Sequence, residues 1–288
     1  MAHGISLHIG LNSVDPAGYG GWSGDLGGCE PDARDMQKLA ASLDYKTNML
    51  LTEDATASAV LAVMENAAKK LKSGETFFLT YSGHGGQSPD ENGDEDDSED
   101  ETWCLYDRQV LDDELHIMYS KFASGVRIFV LSDSCHSGTV LRNMPPQLRA
   151  GARTTDNVSS MIPAAYKDPN VPVCYRFAPP KAVKANNEKY KTLFKGVQRL
   201  EAGDVRLDPE AGVLLISGCQ DDQLSADLGT NGLFTVRLLE TRKKVGEQAS
   251  FQALYAAIHA SMPKKQKPNL MTIGAGGPGL PTRTAFAI

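Results

Sequence analysis

Two stretches decide how this chain folds: Thr76–Gly86, TFFLTYSGHGG, and Val126–Gly138, VRIFVLSDSCHSG. Phe77-Phe78-Leu79-Thr80-Tyr81 and Ile128-Phe129-Val130-Leu131 are nearly unbroken apolar runs. Such runs suit strands covered on both faces, as in a parallel sheet, where one-sided strands would alternate. Each run stops in a small, polar, turn-prone cluster carrying one reactive group, His84 in the first and Cys135 in the second.

Working outward, Ile5–Leu11, Thr47–Leu51 and Val213–Ser217 are further short β-rich runs bounded by turn residues. Helical patterns lie between them. Pro31–Leu43 opens on a proline suited to a first helical turn and carries Met36, Leu39, Ala40 and Leu43 on one stripe. Thr56–Leu71 repeats the pattern, and Leu233–Leu239 and Ala253–Met262 are helical in the final third. This alternation predicts an α/β layered fold with a central, mostly parallel sheet. From about Arg142 to Pro209 the rhythm breaks: the stretch is rich in Pro, Asn, Lys and Arg, and its apolar periodicity is weak. It reads as a long linker or insertion (142–209) between a first part (1–141) and a last part (210–288) of a single domain.

Bulk properties exclude several classes. The net charge of −7 gives no reason to expect nucleic acid, and no run approaches the length of a membrane span. The N-terminus lacks the pattern of a signal peptide. Five cysteines with no CxxC pair argue against a disulfide framework and for a reducing, cytoplasmic setting. Zinc is not expected, because no Cys/His cluster has ligand spacing.

In open α/β sheets, ligands bind at the carboxyl ends of the strands. If the two central strands are neighbours, His84 and Cys135 emerge side by side on that edge. A thiol there becomes a strong nucleophile once a base takes its proton. The flanking glycines leave backbone N–H groups unshielded, so Gly85 and Cys135 are candidate oxyanion donors. His136 is a rival base by adjacency, but neighbouring side chains diverge on most backbones, which favours His84.

YSGHG (Tyr81–Gly85) and DSCHSG (Asp133–Gly138) resemble the catalytic signatures of metacaspases, in the caspase-like clan of cysteine peptidases. Three further segments match in order: GCEPDA (Gly28–Ala33, with Glu30 and Pro31 in place of the usual central residues), LDDEL (Leu111–Leu115) and LISGCQDDQLSAD (Leu215–Asp227). The resemblance covers most of residues 5–240. It implies a caspase-like three-layer α/β/α sandwich, a Cys135–His84 dyad, an acyl-enzyme route, and cleavage after Arg or Lys. A basic side chain needs an acid at the bottom of its pocket. The matching positions are Asp32 and Asp133, with Cys29 and Ser82 lining the same pocket.

The acidic run Asp90–Glu101, DENGDEDDSEDE, read alone is a solvated loop or a hard-cation site. It superficially resembles an EF-hand loop, but the remaining ligand spacing fails. The resemblance implies an activating Ca2+ held by Asp100, Asp112 and Asp113, with Glu99 or Glu101 replacing Asp100 if the match slips by one. Asp112 and Asp113 also suit a helix N-terminus without any metal. Self-cleavage in the 142–209 segment is a further implication, with Arg142, Arg149, Arg153, Lys167, Arg176, Lys181, Lys184 and Lys189 as possible points. Partners are then peptides or proteins with Arg or Lys before the cut, and the enzyme is a monomer. Two other readings use the same residues: a caspase-fold peptidase switched on by a partner or signal instead of calcium, and an inactive caspase-fold interaction module. A mere scaffold has no reason to keep both dyad residues.

Overall fold

The computed structural model describes residues 3–90, 99–135, 173–201, 208–220 and 223–288. Its first half runs β1 (Gly4–Gly10), α1 (Cys29–Ser42), β2 (Lys46–Leu51), α2 (Ala57–Lys70), β3 (Thr76–Ser82), β4 (Gly85–Pro89), β5 (Glu99–Cys104), β6 (Gln109–Leu111), α3 (Asp112–Ser120) and β7 (Arg127–Asp133). Then come β8 (Cys174–Tyr175), α4 (Pro180–Glu201), β9 (Gly212–Ser217), β10 (Ala226–Asp227), α5 (Leu233–Val245), α6 (Phe251–Ser261) and β11 (Asn269–Ile273). The main sheet has the order β11-β9-β7-β3-β1-β2. Its first five strands in sequence, β1, β2, β3, β7 and β9, are mutually parallel, and β11 closes one edge antiparallel to β9.

The two apolar runs are the centre of this sheet, and both are covered on each face. Alternation along the strands divides their side chains between two cores. Phe77, Leu79 and Tyr81 of β3 and Ile128 and Val130 of β7 face α2 and α3. Phe78 of β3 and Phe129 and Leu131 of β7 face α1, α5 and α6. This is the three-layer α/β/α sandwich expected from the sequence. The helices start where their sequences allow: Thr56 caps α2 through Ala59 N (3.3 Å), and Ser250 caps α6 through Ala253 N (3.2 Å). At α1, Asn12 Oδ1 accepts from the N–H groups of Cys29 and Glu30, each at 3.1 Å, so a residue beyond β1 caps that helix.

The stretch read as a featureless linker contains α4, a helix of 22 residues. Its buried positions are Ala182, Asn186, Phe194, Val197, Gln198 and Glu201, a helical stripe of which half is polar. The stripe packs through side-chain amides: Asn186 Oδ1 accepts from Gln109 N (3.1 Å) while its Nδ2 donates to Gly18 O (2.9 Å), and Gln198 Nε2 donates to Pro89 O (2.9 Å). α4 thus lies along the small antiparallel sheet β4-β5-β6 beside the main sheet.

Phe78 has no exposed surface and lies 5.0 Å from the Phe286 ring and 5.7 Å from that of Tyr45. Truncation of a buried phenylalanine typically costs about 3–5 kcal/mol. Phe78→Ala is expected to lower stability by that amount, read as a lower urea midpoint followed by circular dichroism, with the far-ultraviolet spectrum before unfolding unchanged.

Candidate active site

β3 and β7 are hydrogen-bonded neighbours in parallel register, with Ser82 opposite Asp133. His84 and Cys135 each lie two residues beyond that pair, so the two loops leave the sheet together at its carboxyl edge. Because Ser82 shares parity with Phe78, and Asp133 with Leu131, both side chains fall on the face covered by α1. Asp32, in the first turn of α1, meets them there: Ser82 Oγ donates to Asp32 Oδ2 at 2.8 Å.

The loop after β3 is shaped by aromatic packing. Tyr81 stacks on Trp103 with ring centroids 4.4 Å apart and the planes within 6° of parallel. Its hydroxyl bonds His84 O (2.7 Å) and Cys104 O (3.0 Å). Position 83 must be glycine, since a Cβ there would lie 2.5 Å from the Tyr81 hydroxyl. The His84 imidazole packs against Trp22 at 4.7 Å, and its Nε2 lies 2.9 Å from Gly24 O. Gly24 has φ +60°, a left-handed conformation that turns this carbonyl toward the ring. A carbonyl can only accept, so Nε2 carries the proton and Nδ1 is left with its lone pair. Nδ1 is buried with no hydrogen-bond partner. Burial pulls the imidazole pKa down to about 4, against the opposing pull of the backbone at Gly24 and Phe177. His84 is therefore neutral across the physiological range. His136, the rival base, lies outside the described residues.

Cys135 is fully buried, its Sγ receiving the N–H of Ser225 and lying 3.6 Å from Ser225 O. Its backbone N–H and that of Gly85 converge on one atom, the carbonyl oxygen of Arg176, each at 3.1 Å. Arg176 is the feature sequence reasoning missed, having placed it only among eight basic residues of the 142–209 segment. Its side chain has no exposed surface. Nη2 lies 2.8 Å from Asp32 Oδ2 and 2.9 Å from Asp227 Oδ2, while Nη1 lies 3.0 Å from Asp133 Oδ2 and 2.8 Å from Ser82 Oγ. Burial opposes the guanidinium's charge, but the carboxylates outweigh it and hold its pKa well above the ordinary value.

Three carboxylates around one cation would repel unless otherwise supported. Each is held by neutral donors as well. Asp32 accepts from Gly232 N (3.0 Å) and Asn231 Nδ2 (2.9 Å), Asp133 from the Ser225 and Thr235 hydroxyls, and Asp227 from Gly28 N (3.1 Å) and Gly229 N (2.8 Å). Burial still raises the Asp32 carboxyl to about 6, despite the neighbouring guanidinium. Cys29 Sγ is 3.7 Å from Asp227 Oδ2, and burial pushes this thiol well up. Asp32, Ser82 and Asp133, which the resemblance assigns to a substrate pocket, thus meet around the Arg176 guanidinium, with Cys29 beside them and Asp227 as an unanticipated third acid. Asp227 was within reach, being the last residue of the LISGCQDDQLSAD segment.

The proposed calcium ligands lie elsewhere. Asp100 is buried on β5 and accepts the Gln198 amide from α4. Asp112 and Asp113 form the first turn of α3, where Asp113 N donates to Asp112 Oδ1 at 3.1 Å. Residues 91–98 of the acidic run lie outside the described residues. Among the described residues no three acid, histidine or cysteine side chains converge on a point that could hold an ion. Asp100, Asp112 and Asp113 are thus not gathered into one site among the described residues, and no chemical step is routed through the ion.

A model of the caspase-domain family matches residues 5–273. The chain is 31% identical to metacaspase-1 of Kluyveromyces lactis, over 92% of this chain and 65% of that protein. It is 32% identical to metacaspase-1A of Aspergillus oryzae, over 92% of this chain and 66% of that one. It therefore spans just under two thirds of the length of these relatives. Among solved structures, a protein from Geobacter sulfurreducens is 40% identical and superposes with a TM-score of 0.79 over 99% of both chains. Caspase-1 of Spodoptera frugiperda, 11% identical, superposes at 0.52 over 94% of this chain and 86% of that one, a likeness of fold alone. No helix among the described residues is long and apolar enough to cross a membrane. With the family model matching nearly its whole length, the chain belongs to the caspase-domain family and is metacaspase-like in sequence.

Proposed function

We propose that this chain is a cysteine endopeptidase that cuts after Arg, and less well after Lys, through an acyl-enzyme formed on Cys135. The observation that carries the reading is the seat of Arg176, whose carbonyl oxygen lies between two N–H donors while its guanidinium lies among three carboxylates. A bound peptide would present its own Arg and scissile carbonyl in the same way. His84 Nδ1 takes the Cys135 proton as the thiolate attacks, and returns it to the leaving amine. The N–H groups of Gly85 and Cys135 hold the developing oxyanion, a contribution typically worth about 2.7–4 kcal/mol per donor. Water then hydrolyses the thioester.

The fork of the guanidinium reaches all three acids and Ser82 at once, whereas an ammonium is a single point charge. Arg peptides should therefore exceed Lys peptides in kcat/KM by about tenfold or more, and peptides with Asp before the cut should not be turned over. Fluorogenic peptides differing only in that residue check this, with Cys135→Ala as the inactive control. No turnover of any Arg or Lys peptide would sink the reading.

Asp227→Asn should lower kcat/KM for Arg peptides by roughly tenfold to a hundredfold, the value of one charged hydrogen bond, mainly through KM. Steady-state kinetics read this directly. Loss of kcat at unchanged KM would instead mean that Asp227 acts on the chemistry.

The pH dependence separates the two buried groups. His84 gains a proton only near pH 4, so it stays a competent base well below neutrality. Asp32 loses its charge as pH falls through about 6, and earlier in a pocket without a guanidinium, because that cation holds its pKa down. The acid limb of kcat/KM should thus lie near or above pH 6, appear in KM, and vanish in Asp32→Asn.

Calcium stimulation, a monomeric state and a cytoplasmic location complete the proposal and rest on the metacaspase likeness and on composition. Comparing turnover in chelator and in millimolar calcium, with sedimentation of the same sample, checks the first two.

A further inference from the structure

Resting on the peptidase reading above, we propose that Gln266 is a positioning residue of the acid pocket, whose amide sets the Ser225 hydroxyl to donate to Asp133. Gln266 stands in the turn between α6 and β11, beyond the segments that carry the metacaspase resemblance, and only 3% of its surface is exposed. A polar side chain leaves water at little cost only where its hydrogen bonds are replaced. Among the described residues the Gln266 side chain makes three. Oε1 accepts from Ala226 N (3.2 Å), while Nε2 donates to Gly218 O (3.2 Å) and to Ser225 Oγ (2.9 Å).

Backbone partners fix which end of the amide is which. The Ala226 N–H can only donate and the Gly218 carbonyl can only accept, so oxygen and nitrogen cannot be exchanged. The Ser225 hydroxyl therefore receives a proton from Gln266 and sends its own single proton to Asp133 Oδ1. Gly218 lies against the same carboxylate oxygen, since a Cβ there would be 3.1 Å from it. One amide thus joins the residue after β9 to the residue before β10 and holds both against Asp133. The other oxygen of that acid, Oδ2, is the one 3.0 Å from the Arg176 guanidinium.

The turn that carries Gln266 is itself tied down. Gln266 N donates to Pro263 O at 3.1 Å. Lys267 Nζ donates to the carbonyls of His259 (2.6 Å) and Met262 (2.7 Å) at the end of α6. The pocket acid is therefore referred to a helix end on the far side of the sheet's last strands, and not only to its own strand. Without the amide, the Ser225 hydroxyl is free to turn, and Asp133 loses a donor of fixed direction. Asp133 meets the basic side chain of the peptide, while His84 and Cys135 do the chemistry. Loss of Gln266 should therefore appear in KM and not in kcat.

The test is a double-mutant cycle in the full chain, read by steady-state kinetics on a fluorogenic Arg peptide. Gln266→Met keeps the length of the side chain without its hydrogen bonds. Ser225→Ala removes the hydroxyl and keeps the backbone N–H that reaches Cys135 Sγ. Each single variant should raise KM roughly threefold to tenfold, the value of about one hydrogen bond, with kcat within about twofold of wild type. The double variant should have the KM of Ser225→Ala alone, because the amide acts through the hydroxyl. Lost stability by itself lowers the folded fraction, and hence the apparent kcat, but leaves KM where it was. Gln266→Asn keeps the amide on a shorter side chain and should raise KM in the same direction, and it takes the place of Gln266→Met in the cycle if that variant does not fold. An unchanged KM, a loss of kcat alone, or a double variant whose KM is the product of the two single effects overturns the inference and leaves the peptidase reading standing. A wild-type chain that turns over no Arg or Lys peptide overturns both.

Discussion

The parallel register of β3 on β7 is the constraint from which the site follows. Pairing Ser82 with Asp133 sends the next two residues of each strand out at the same height, and those residues end in His84 and Cys135. A slip of one residue would reverse the parity of one strand. Ser82 or Asp133 would then face α2 instead of α1, and the pocket would lose a wall. The register is held by side chains committed to two different cores, Phe77 and Ile128 on one side and Phe78 and Phe129 on the other. Packing therefore holds the catalytic geometry, and the polar groups at the strand ends inherit it.

The acid pocket shows how a protein keeps several carboxylates together in its interior. Neutral donors from Gly28, just before α1, from Gly229 and Gly232, and from the side chains of Ser225, Asn231 and Thr235 hold the carboxylate oxygens beside the cation. Arg176 then satisfies what remains. Breaking one partner from a buried ionic cluster typically costs about 3–5 kcal/mol. Both the stability of this part of the fold and the occupancy of the acid cluster thus depend on the same guanidinium.

α4 ties this cleft to the edge of the fold. It begins three residues after Phe177 and runs along the small sheet, meeting Gln109 through Asn186 and Asn187, and Asp100 through Gln198. The chain on the far side of the Arg176–Phe177 bond is therefore anchored by a long helix.

Much of this was legible in the sequence for reasons that are local. Thr76–Ser82 is a strand at the boundaries read from it, because Phe77, Phe78, Leu79 and Tyr81 around a single threonine, beside a turn cluster, admit little else. Pro31 and the Met36-Leu39-Ala40 stripe likewise disclose α1, and the motifs around His84 and Cys135 disclose the chemistry. α4 carries Tyr190, Phe194 and Val197 at helical spacing, but it stands in a segment dominated by Pro, Asn, Lys and Arg, and half of its buried stripe is amide or acid, bonded to Gln109, Gly18, Pro89 and His116. Asp227 lay in a segment already singled out, yet nothing local marks it as the third wall of a pocket whose other acids are 195 and 94 residues away in the chain. Arg176 was one basic residue among eight, and only the converging N–H groups of Gly85 and Cys135 distinguish it. The sequence by itself determined the α/β layering, the five parallel strands of the main sheet, and the placing of one thiol and one imidazole at strand ends, since hydrophobic patterning and turn chemistry act over a few residues. Which side chain lies among the three acids, and which carbonyl lies between the Gly85 and Cys135 N–H groups, was decided by the tertiary structure, because charge pairing and carbonyl placement depend on distances between residues the chain keeps far apart.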